Sequence, residues 1–327
     1  MEIYKELNEI FTNRLEKEIE ILKRREPGNL YEPIVYSLNM GGKRIRPLLL
    51  MMACRMFSND ISGSLPAALA IEIFHNFTLL HDDIMDKSVL RRNKKTVHIE
   101  FSENAAILSG DAMSFLATEY LLKSEISNLK EVLGIFTDTS LKVCEGQQFD
   151  MDFENSSNVS VDDYINMISL KTAILLANSL KIGAVIGGAS KEDTESLFQF
   201  GLNIGIAFQL QDDYLDSFGD TDKFGKNIGG DIVSNKKTYL LISALNNAKG
   251  VKYSDLEYWI NIKEFSREEK IRNVIKMYED LGIREMTGEK IEGYFQEAKK
   301  CLEAISVNNK VKEELFEVAN ILMERQK

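Results

Sequence analysis

Apolar residues along this chain recur with the period of a helix rather than that of a strand. Between residues 165 and 176, for example, Ile165, Ile168, Leu175 and Leu176 share one helical face. Apolar–polar alternation of strand length is not convincing anywhere in the sequence. The pattern therefore predicts an all-α protein, with helices at about residues 2–25, 30–40, 45–57, 66–86, 104–123, 127–151, 161–187, 191–217, 235–247, 254–263, 267–281, 288–304 and 310–325.

Prolines and helix-start signals point to the same class. All four prolines lie between residues 27 and 66, whereas a β-rich domain of this size would normally place Pro and Gly in many turns. Three pairs of Ser and an acid are typical of capping boxes that begin helices: Ser160 with Asp163, Ser190 with Asp193, and Ser266 with Glu269.

No linker, low-complexity tract or internal repeat divides the 327 residues, so we predict a single domain over 1–327. The stretches 41–42, 155–158 and 218–230 are predicted loops between helices. The longest of them, 218–230, is either a mobile flap or an ordinary surface turn, and the sequence leaves both interpretations open.

Composition and charge narrow the possible partners. Hydrophobic residues make up 44% of the chain and charged residues 28%, with a net charge of −11. These values are typical of a folded, soluble protein and argue against a nucleic-acid binder. The three cysteines are far apart and odd in number, which suits free thiols in a reducing compartment. Since neither a secretory signal nor a run of about 20 apolar residues is present, we expect a cytoplasmic protein without a membrane span.

Two aspartate triplets of identical spacing carry the strongest chemical signal: Asp82, Asp83 and Asp86, and Asp212, Asp213 and Asp216. On a helix, the first and last carboxylates of each triplet lie one above the other. Like charges about 4 Å apart repel by about 4 kcal/mol at an effective dielectric of about 20, and a hard divalent cation removes this penalty. Because Mg²⁺ usually takes carboxylates, water and substrate phosphates as ligands, the triplets predict Mg²⁺ sites that bind a diphosphate.

Several basic residues lie beside glycines or hydroxyls and suit a second anion. Gly41-Gly42 leads into Lys43, Arg44 and Arg46 at a predicted helix start, where backbone N–H groups already favour phosphate. Further cations follow along the chain: Arg91-Arg92, Lys171-Thr172, Lys226 and Lys236-Lys237-Thr238. Taken singly, each could be a solvated surface feature. Together with the triplets they imply one diphosphate bridged by metal and a second anion held directly by cations.

In order and spacing, these motifs resemble the trans-isoprenyl diphosphate synthases, or polyprenyl synthetases, of the short-chain kind. The matching elements are Gly-Gly-Lys-Arg-Ile-Arg-Pro at 41–47, Leu-Leu-His-Asp-Asp-Ile-Met-Asp at 79–86, Arg91-Arg92, Gly110-Asp111, Lys171-Thr172, 208–216 and 224–231. The resemblance implies a single large bundle of long antiparallel helices around a deep central cavity, usually a homodimer, with both triplets at the cavity mouth. The last third of the chain carries no such motif and is predicted to be helical packing.

The resemblance also implies roles for individual residues. Mg²⁺, with three ions per site, would be coordinated by Asp82, Asp86, Asp212 and Asp216, assisted by Asp83 and Asp213. The allylic diphosphate would be held by Arg91, Lys171, Lys226 and Lys236. Oxygen dipoles facing the developing carbocation would come from Thr172 and Gln209. Isopentenyl diphosphate would be held by Lys43, Arg46, His75 and Arg92.

These roles describe a head-to-tail condensation. Neutralisation of the leaving diphosphate lets the allylic C–O bond ionise. The double bond of isopentenyl diphosphate attacks the cation, and loss of a proton gives a trans product five carbons longer. Released pyrophosphate is the expected proton acceptor, and an apolar cavity excludes the water that would quench the cation.

Product length depends on residues just before the first triplet. On an ideal helix Thr78 lies almost under Asp82 while Phe77 points to the side, so geometry favours Thr78 or Phe74 as cavity lining. In the family that the chain resembles, however, an aromatic at the position of Phe77 limits the growing chain. A single aromatic there, a non-aromatic residue at 78 and no insertion within the first triplet resemble the geranylgeranyl-type pattern. The resemblance therefore favours a C20 (geranylgeranyl) over a C15 (farnesyl) product. The alternative, that Phe77 is only core packing, stays open.

All three histidines, His75, His81 and His98, lie near the first triplet. Because His81 points about 100° around the helix from Asp82, we expect His81 and His98 to form hydrogen bonds rather than to bind metal. Gly110-Asp111 and Trp259 are expected to serve helix packing and the core.

Three other functions are compatible with parts of the pattern. A class I terpene cyclase shares the first triplet, but its second motif normally lacks the third acid present here, and it has little use for cations at 43, 46 and 92. A head-to-head synthase of the squalene or phytoene type has differently spaced aspartates. A catalytically inactive helical subunit of the same fold would be free to lose the acids and cations that this chain retains.

Overall fold

A computed structural model describes residues 1–156, 158–219 and 228–323 of the chain. These residues are helical apart from loops and one short hairpin, which confirms the predicted all-α class. The elements are, in order, α1 (Glu2–Leu22), α2 (Gly28–Leu38), α3 (Ile45–Phe57), α4 (Ser64–Met85), β1 (Leu90–Arg91), β2 (Lys94–Lys95), α5 (Val97–Glu100), α6 (Glu103–Leu122), α7 (Leu129–Asn155), α8 (Val161–Ile168), a π-helical turn (Ser169–Ala173), α9 (Ile174–Gly187), α10 (Lys191–Phe218), α11 (Gly230–Ser234), α12 (Tyr239–Asn247), α13 (Val251–Asn261), α14 (Arg267–Asp280), α15 (Ile283–Glu303) and α16 (Lys310–Met323).

The described residues form two compact units. Unit 1 comprises residues 1–137, 178–197 and 305–315, and unit 2 comprises the described parts of 138–177, 198–304 and 316–327. The first triplet and the cations between residues 43 and 92 belong to unit 1. The second triplet, Lys171 and Thr172 belong to unit 2. A single domain over 1–327 stays a prediction, as does a shared site for both triplets.

Helix α3 lies in the core of unit 1 because its sequence is apolar on almost every side. Its residues Leu48 to Cys54 are all buried, as expected for a helix without a polar stripe. Helix α4 packs along α6, and Gly110 of α6 lies directly under the His81 ring, where a Cβ would collide with it. Gly110 therefore serves helix packing, as the sequence predicted.

The first turn of α1 is capped by a carboxylate from the other end of the chain. Glu314 accepts hydrogen bonds from the backbone N–H groups of Glu2, Ile3 and Tyr4 at 2.8, 3.1 and 2.9 Å. These groups have no partner inside the helix. Burial alone would raise the pKa of Glu314, but the hydrogen bonds outweigh it and lower that pKa. Glu314 thus anchors α1 to α16 within unit 1.

Two apolar clusters lie in the core of unit 2, as far as the structure describes that unit. One contains Tyr164, Met167, Ile168, Ala173, Ile206, Leu210, Tyr239 and Ile242. The other contains Ile232, Leu240, Leu241, Ala244, Leu256, Val274, Tyr278 and Ile283, with Trp259 packed against it. The predicted capping box of Ser160 and Asp163 is present at the start of α8, and it fixes the helix that carries Tyr164.

Some element bounds differ from the prediction for local reasons. Helix α12 begins at Tyr239 rather than 235, because Thr238 is its N-cap. Helix α15 begins at Ile283 rather than 288, directly after Gly282 in the left-handed region. The predicted continuous helix over 161–187 contains a π-helical turn. The hairpin β1–β2 and the short helices α5 and α11 were not predicted.

Candidate active site

The first aspartate triplet forms the end of α4. The Asp86 N–H donates to the Asp82 carbonyl at 2.9 Å, so the helical turn is intact and the two acids lie one above the other, as predicted. Asp82 is half-buried and Asp86 is exposed. Asp83, by contrast, is only 3% exposed. The outer acids of the triplet therefore reach solvent, and the middle acid turns into unit 1.

Arg91 is the partner of the inward-facing Asp83. Its Nε lies 2.8 Å from both Asp83 oxygens and its second terminal nitrogen lies 2.7 Å from Oδ1. The same guanidinium is 3.6 Å from Asp82. Burial raises the pKa of Asp83, and the charge of Arg91 opposes this shift. Arg91 thus stabilises the triplet from within, and its predicted contact with an allylic diphosphate stays a prediction.

Arg92 lies at the tip of the β1–β2 hairpin. Arg92 and Asn93 form its two-residue loop, and both have positive φ, 53° and 61°, as a type I′ turn requires. The Arg92 guanidinium lies over Gly42, where a Cβ would be 2.6 Å from a terminal nitrogen. Gly42 is therefore needed both for its own φ of 133° and for this approach. Two distant motifs of the sequence meet at this point.

Arg46 follows the glycine turn at 41–42, and its side chain contacts a histidine rather than an acid. Its terminal nitrogen is 3.2 Å from His75 Nε2, and since a guanidinium only donates, the ring proton is assigned to Nδ1. Burial, and then the charge of Arg46, lower the pKa of His75 well below its ordinary value. Burial lowers the pKa of Arg46 to about 10, so Arg46 stays charged at neutral pH. Its buried Nε has no hydrogen-bond partner among the described residues.

Glu72 supplies a negative charge within this group of arginines. Its carboxylate pairs with Arg44 and accepts a hydrogen bond from Asn76 at 2.8 Å. Arg44, the N-cap of α3, has a positive φ of 50°, and it also donates to the Leu38 carbonyl. Glu72 therefore fixes the turn that leads into α3, while Arg46 and Arg92 form no ion pair in the described ranges. Of the four residues predicted to hold isopentenyl diphosphate, the structure brings Arg46 and His75 together, and it places the exposed Lys43 in the same turn.

The two predicted chain-length residues have different environments on α4. The Phe77 ring lies 5.4 Å from the Phe74 ring and 4.8 Å from His81, so Phe77 belongs to an aromatic row along one face. Thr78 donates its hydroxyl to the His75 carbonyl at 2.8 Å. Both side chains are half-buried. The row is compatible with either a stop or core packing at Phe77.

In unit 2, Lys171 and Thr172 lie within the π-helical turn. Such turns interrupt the regular helical ladder and are frequent at functional sites. The turn fits because two glycines face it: a Cβ on Gly146 of α7 would collide with the Lys171 backbone, and one on Gly205 of α10 would collide with Ala173. Lys171 forms an ion pair with Asp150 at 2.6 Å. The lysine and the hydroxyl are therefore set by packing at a wide helical turn.

A hydrogen-bond chain links Thr172 to the second triplet. Thr172 Oγ1 donates to Gln209 Oε1 at 3.0 Å, and Gln209 Nε2 donates to Asp213 at 3.0 Å. The other Asp213 oxygen accepts from the Tyr164 hydroxyl. Burial raises the pKa of Asp213 to about 6 and that of Tyr164 well above its ordinary value. The Gln209 oxygen thus accepts its hydrogen bond from Thr172. The lone pairs of the Thr172 oxygen are then the acceptor at the end of this series of hydrogen bonds.

The remaining acids of the second triplet lie near α11. Asp216 accepts the backbone N–H groups of Gly230 at 3.3 Å and Asp231 at 2.9 Å, whereas Asp212 is half-buried. Burial, and then the charge of Asp213, raise the pKa of Asp231 to about 7. Lys236 is exposed and its N–H bonds to the Asp231 carbonyl at 2.9 Å. The predicted ligand Lys226 and most of the predicted flap lie outside the described residues.

The donor chemistry of the triplets fits Mg²⁺. Within residues 1–156, 158–219 and 228–323, no three His, Cys, Asp or Glu side chains converge as a preformed metal cage. Mg²⁺ commonly uses only one or two carboxylates and completes its shell with water and substrate phosphates. His81 lies 3.3 Å from the Ile107 carbonyl, in agreement with the hydrogen-bonding role expected for it. The oxygen-only donors of each triplet, taken separately, therefore suit a metal that a diphosphate would help to bind.

Sequence reasoning missed several residues of the candidate site. Glu72 could have been found, because it is a lone acid in the apolar run of α4 and must be paired if buried. Asp150 and Tyr164 carry no comparable signal, since their partners are distant in sequence. Asp231 lies inside a matched motif, but nothing in its spacing indicates that its backbone N–H donates a hydrogen bond to the Asp216 side chain.

Comparison with known proteins identifies the family. The model of the polyprenyl synthetase family matches residues 27–278, which includes both triplets and every cation discussed above. The chain belongs to the polyprenyl synthetase family. It is therefore an enzyme of the prenyltransferase class, as predicted from the motifs.

Three similar proteins illustrate the relationship. A short chain isoprenyl diphosphate synthase from Methanothermobacter thermautotrophicus is 34% identical over 100% of this chain and 98% of its own. A crystal structure of a geranylgeranyl pyrophosphate synthase has a TM-score of 0.92 at 41% identity and covers 99% of both chains. A polyprenyl synthase from Caulobacter crescentus, solved with calcium and isoprenyl diphosphate, has a TM-score of 0.88 at 29% identity and covers 100% of this chain and 98% of its own.

One helical run of the described residues tests the expected absence of a membrane span. Val161–Gly187 is long and apolar enough to cross a membrane by length and composition, but 67% of its most apolar window is buried within the protein. Core helices share these properties, so a single such run is weak support for a span.

Proposed function

We propose that this enzyme catalyses the Mg²⁺-dependent head-to-tail (1′-4) condensation of isopentenyl diphosphate with an allylic diphosphate. The product would be a short-chain trans-prenyl diphosphate, with C20 favoured over C15. The reaction would proceed by ionisation, condensation and elimination. The similar geranylgeranyl pyrophosphate synthase supports the C20 preference.

Arg46 is the observation that carries this proposal. A guanidinium that is largely shielded from water normally faces a carboxylate, but the half-buried Arg46 faces a neutral histidine, and its buried Nε has no partner among the described residues. Arg92, also without an ion pair in the described ranges, lies beside Gly42 of the same turn. Such a surplus of positive charge suits a bound anion. A cyclase that binds one diphosphate through metal would have no use for it.

Each group of residues then has a defined task. Lys43, Arg46, His75 and Arg92 would bind isopentenyl diphosphate directly, with His75 donating through Nδ1. The allylic diphosphate would be held by Arg91, Lys171, Lys226 and Lys236. Asp82, Asp86, Asp212 and Asp216 would hold Mg²⁺, which supplies charge neutralisation at the leaving diphosphate. The Thr172 oxygen would face the developing carbocation, because its proton is committed to Gln209.

Product chromatography tests the proposal. The purified enzyme would be incubated with Mg²⁺, labelled isopentenyl diphosphate and one of three primers: dimethylallyl, geranyl or farnesyl diphosphate. We expect a prenyl diphosphate that ends at C20, and no product in EDTA. Hydrocarbon formed from farnesyl or geranylgeranyl diphosphate alone would instead show a cyclase, and no turnover with any primer would show an inactive subunit. A dominant C15 or C25 product would correct the length alone.

We also propose that the enzyme is a cytoplasmic homodimer that pairs through α6. Leu108, Phe115 and Leu122 are 60%, 76% and 54% exposed and recur every seven residues, which aligns them on one face. A stripe of this kind is costly in water unless a second surface covers it. Sedimentation velocity should show a dimer for the unmodified chain and a monomer for Phe115→Glu. A dimer that survives this change would place the contact elsewhere.

A further inference from the structure

Tyr164 is a buried residue of unit 2 that none of the roles above uses. Its side chain is 1% exposed and its hydroxyl donates to Oδ2 of Asp213. Asp213 is also buried, at 5% exposed, and its ionised carboxylate can only accept hydrogen bonds. Its second oxygen accepts from Gln209 at 3.0 Å. Each oxygen of the Asp213 carboxylate therefore accepts one hydrogen bond, and the two bonds come from different side chains.

The direction of each hydrogen bond in this chain depends on the one before it. An ionised carboxylate only accepts, so Gln209 must present its NH₂ group to Asp213. The Gln209 oxygen then points to Thr172, which has to donate its proton to it at 3.0 Å. The Thr172 hydroxyl has a single proton, so its oxygen lone pairs remain available to another partner. The orientation of the Thr172 hydroxyl is thus set through Gln209 by the position of Asp213.

We propose that Tyr164 is a positioning residue for the Thr172 hydroxyl, acting through Asp213 and Gln209. Without the Tyr164 hydroxyl, one buried Asp213 oxygen loses its partner and the carboxylate is free to rotate. The Gln209 amide can then flip, and Thr172 can turn its proton rather than its lone pairs toward a positive charge. The inference rests on the proposed function only where it concerns the carbocation. The hydrogen-bond relay itself does not depend on it.

Helix α8 is built to hold this tyrosine in place. The capping box of Ser160 and Asp163 fixes the first turn directly before Tyr164. The ring packs in the apolar cluster with Ile206, Leu210 and Tyr239. A Tyr164→Phe change keeps this packing and removes one oxygen atom. The change therefore tests the hydroxyl alone.

The chain offers a matched control in unit 1. The Tyr120 hydroxyl donates to Glu18 at 2.8 Å, and Tyr120 is also 1% exposed. Tyr120→Phe removes the same kind of bond, between a buried phenol and a carboxylate, from α6. Neither Tyr120 nor Glu18 belongs to the candidate site. A general loss of stability should appear in both variants, and a positioning effect only in Tyr164→Phe.

The first arm of the test needs neither metal nor substrate. Glutamine side-chain amides would be labelled with ¹⁵N, and the Gln209 resonance would be assigned from its loss in Gln209→Glu. We expect that resonance to move in Tyr164→Phe and to stay in place in Tyr120→Phe. An unmoved Gln209 resonance in Tyr164→Phe would overturn the relay. The NMR result tests the relay even if the wild-type enzyme yields no condensation product. In that case only the proposed function fails.

The second arm is a double-mutant cycle on turnover. Tyr164→Phe should lower kcat about ten- to thirtyfold, the size expected for losing one oriented hydroxyl dipole that faces a charge, with both KM values within about twofold of wild type. Thr172→Val should lower kcat at least as much. If Tyr164 acts through Thr172, the double variant should match Thr172→Val within about twofold. Multiplicative losses, or a kcat of Tyr164→Phe equal to that of Tyr120→Phe, would contradict the proposal.

Discussion

Replacing Arg46 by methionine should stabilise the fold and, at the same time, weaken the binding of one substrate, isopentenyl diphosphate. Burial lowers the pKa of Arg46 from 12.5 to about 10, which means that the folded state carries a cost for keeping this charge. At 1.36 kcal/mol per pKa unit the cost is about 3 kcal/mol at most. Because the side chain is half-buried rather than fully enclosed, we expect a gain of about 1–2 kcal/mol in the free energy of unfolding. Methionine is unbranched and can fill the space of the arginine stem.

The same substitution should raise the KM for isopentenyl diphosphate. A charge-assisted hydrogen bond to phosphate contributes about 1.5–3 kcal/mol, or about 10- to 100-fold in affinity. The KM for the allylic primer should stay within about twofold, since the residues proposed to hold its diphosphate are unchanged. Urea unfolding followed by circular dichroism measures the first effect, and steady-state kinetics with one substrate saturating measures the second.

Arg44→Met, two positions earlier, is the matched control. Arg44 pairs with the buried Glu72, so its removal breaks a buried ion pair and should destabilise the protein by about 3 kcal/mol. The same chemical change is thus expected to have opposite signs at the two sites. If Arg46→Met destabilised the chain as Arg44→Met does, or left the KM for isopentenyl diphosphate unchanged, Arg46 would not be a surplus cation that binds this substrate.

Three further variants test other parts of the account. Asp83→Asn breaks the buried pair with Arg91 and should lower the free energy of unfolding by about 2–4 kcal/mol, whereas Asp82→Asn should leave it within about 0.5 kcal/mol but abolish Mg²⁺-dependent turnover; equal stabilities in urea would contradict this division. Glu314→Gln should cost about 1–2 kcal/mol by weakening the cap of α1, with kcat unchanged, and a kcat that falls in step with stability would argue against a purely structural role. Phe77→Ala should lengthen the product on chromatography, and an unchanged distribution would leave Phe77 as core packing.

The sequence predicted those features that depend on spacing within one helix. The intact turn between Asp82 and Asp86 and the start of α8 at Ser160 both follow from positions a few residues apart. The long helices were predicted for the same reason, because their apolar faces repeat many times. The short α11, which has five residues, offers no such repeat.

Features that depend on contacts between distant segments could not be predicted. Arg91 pairs with Asp83 only because a hairpin with positive φ at Arg92 folds the chain back onto α4. The π-helical turn at Lys171 exists because Gly146 and Gly205 lie against it, and neither glycine is near it in sequence. The Gln209 oxygen was expected to face the carbocation, but only the folded chain shows that it accepts a bond from Thr172.

A crystal structure with isopentenyl diphosphate, Mg²⁺ and a thiolo analogue of the allylic diphosphate would test the central claim most directly. The distance to measure is that between Arg46 Nε and the nearest diphosphate oxygen of isopentenyl diphosphate. We expect about 2.9 Å, with no metal ion between the two groups. Isopentenyl diphosphate held only through Mg²⁺, with the Arg46 Nε still lacking a phosphate contact, would contradict it.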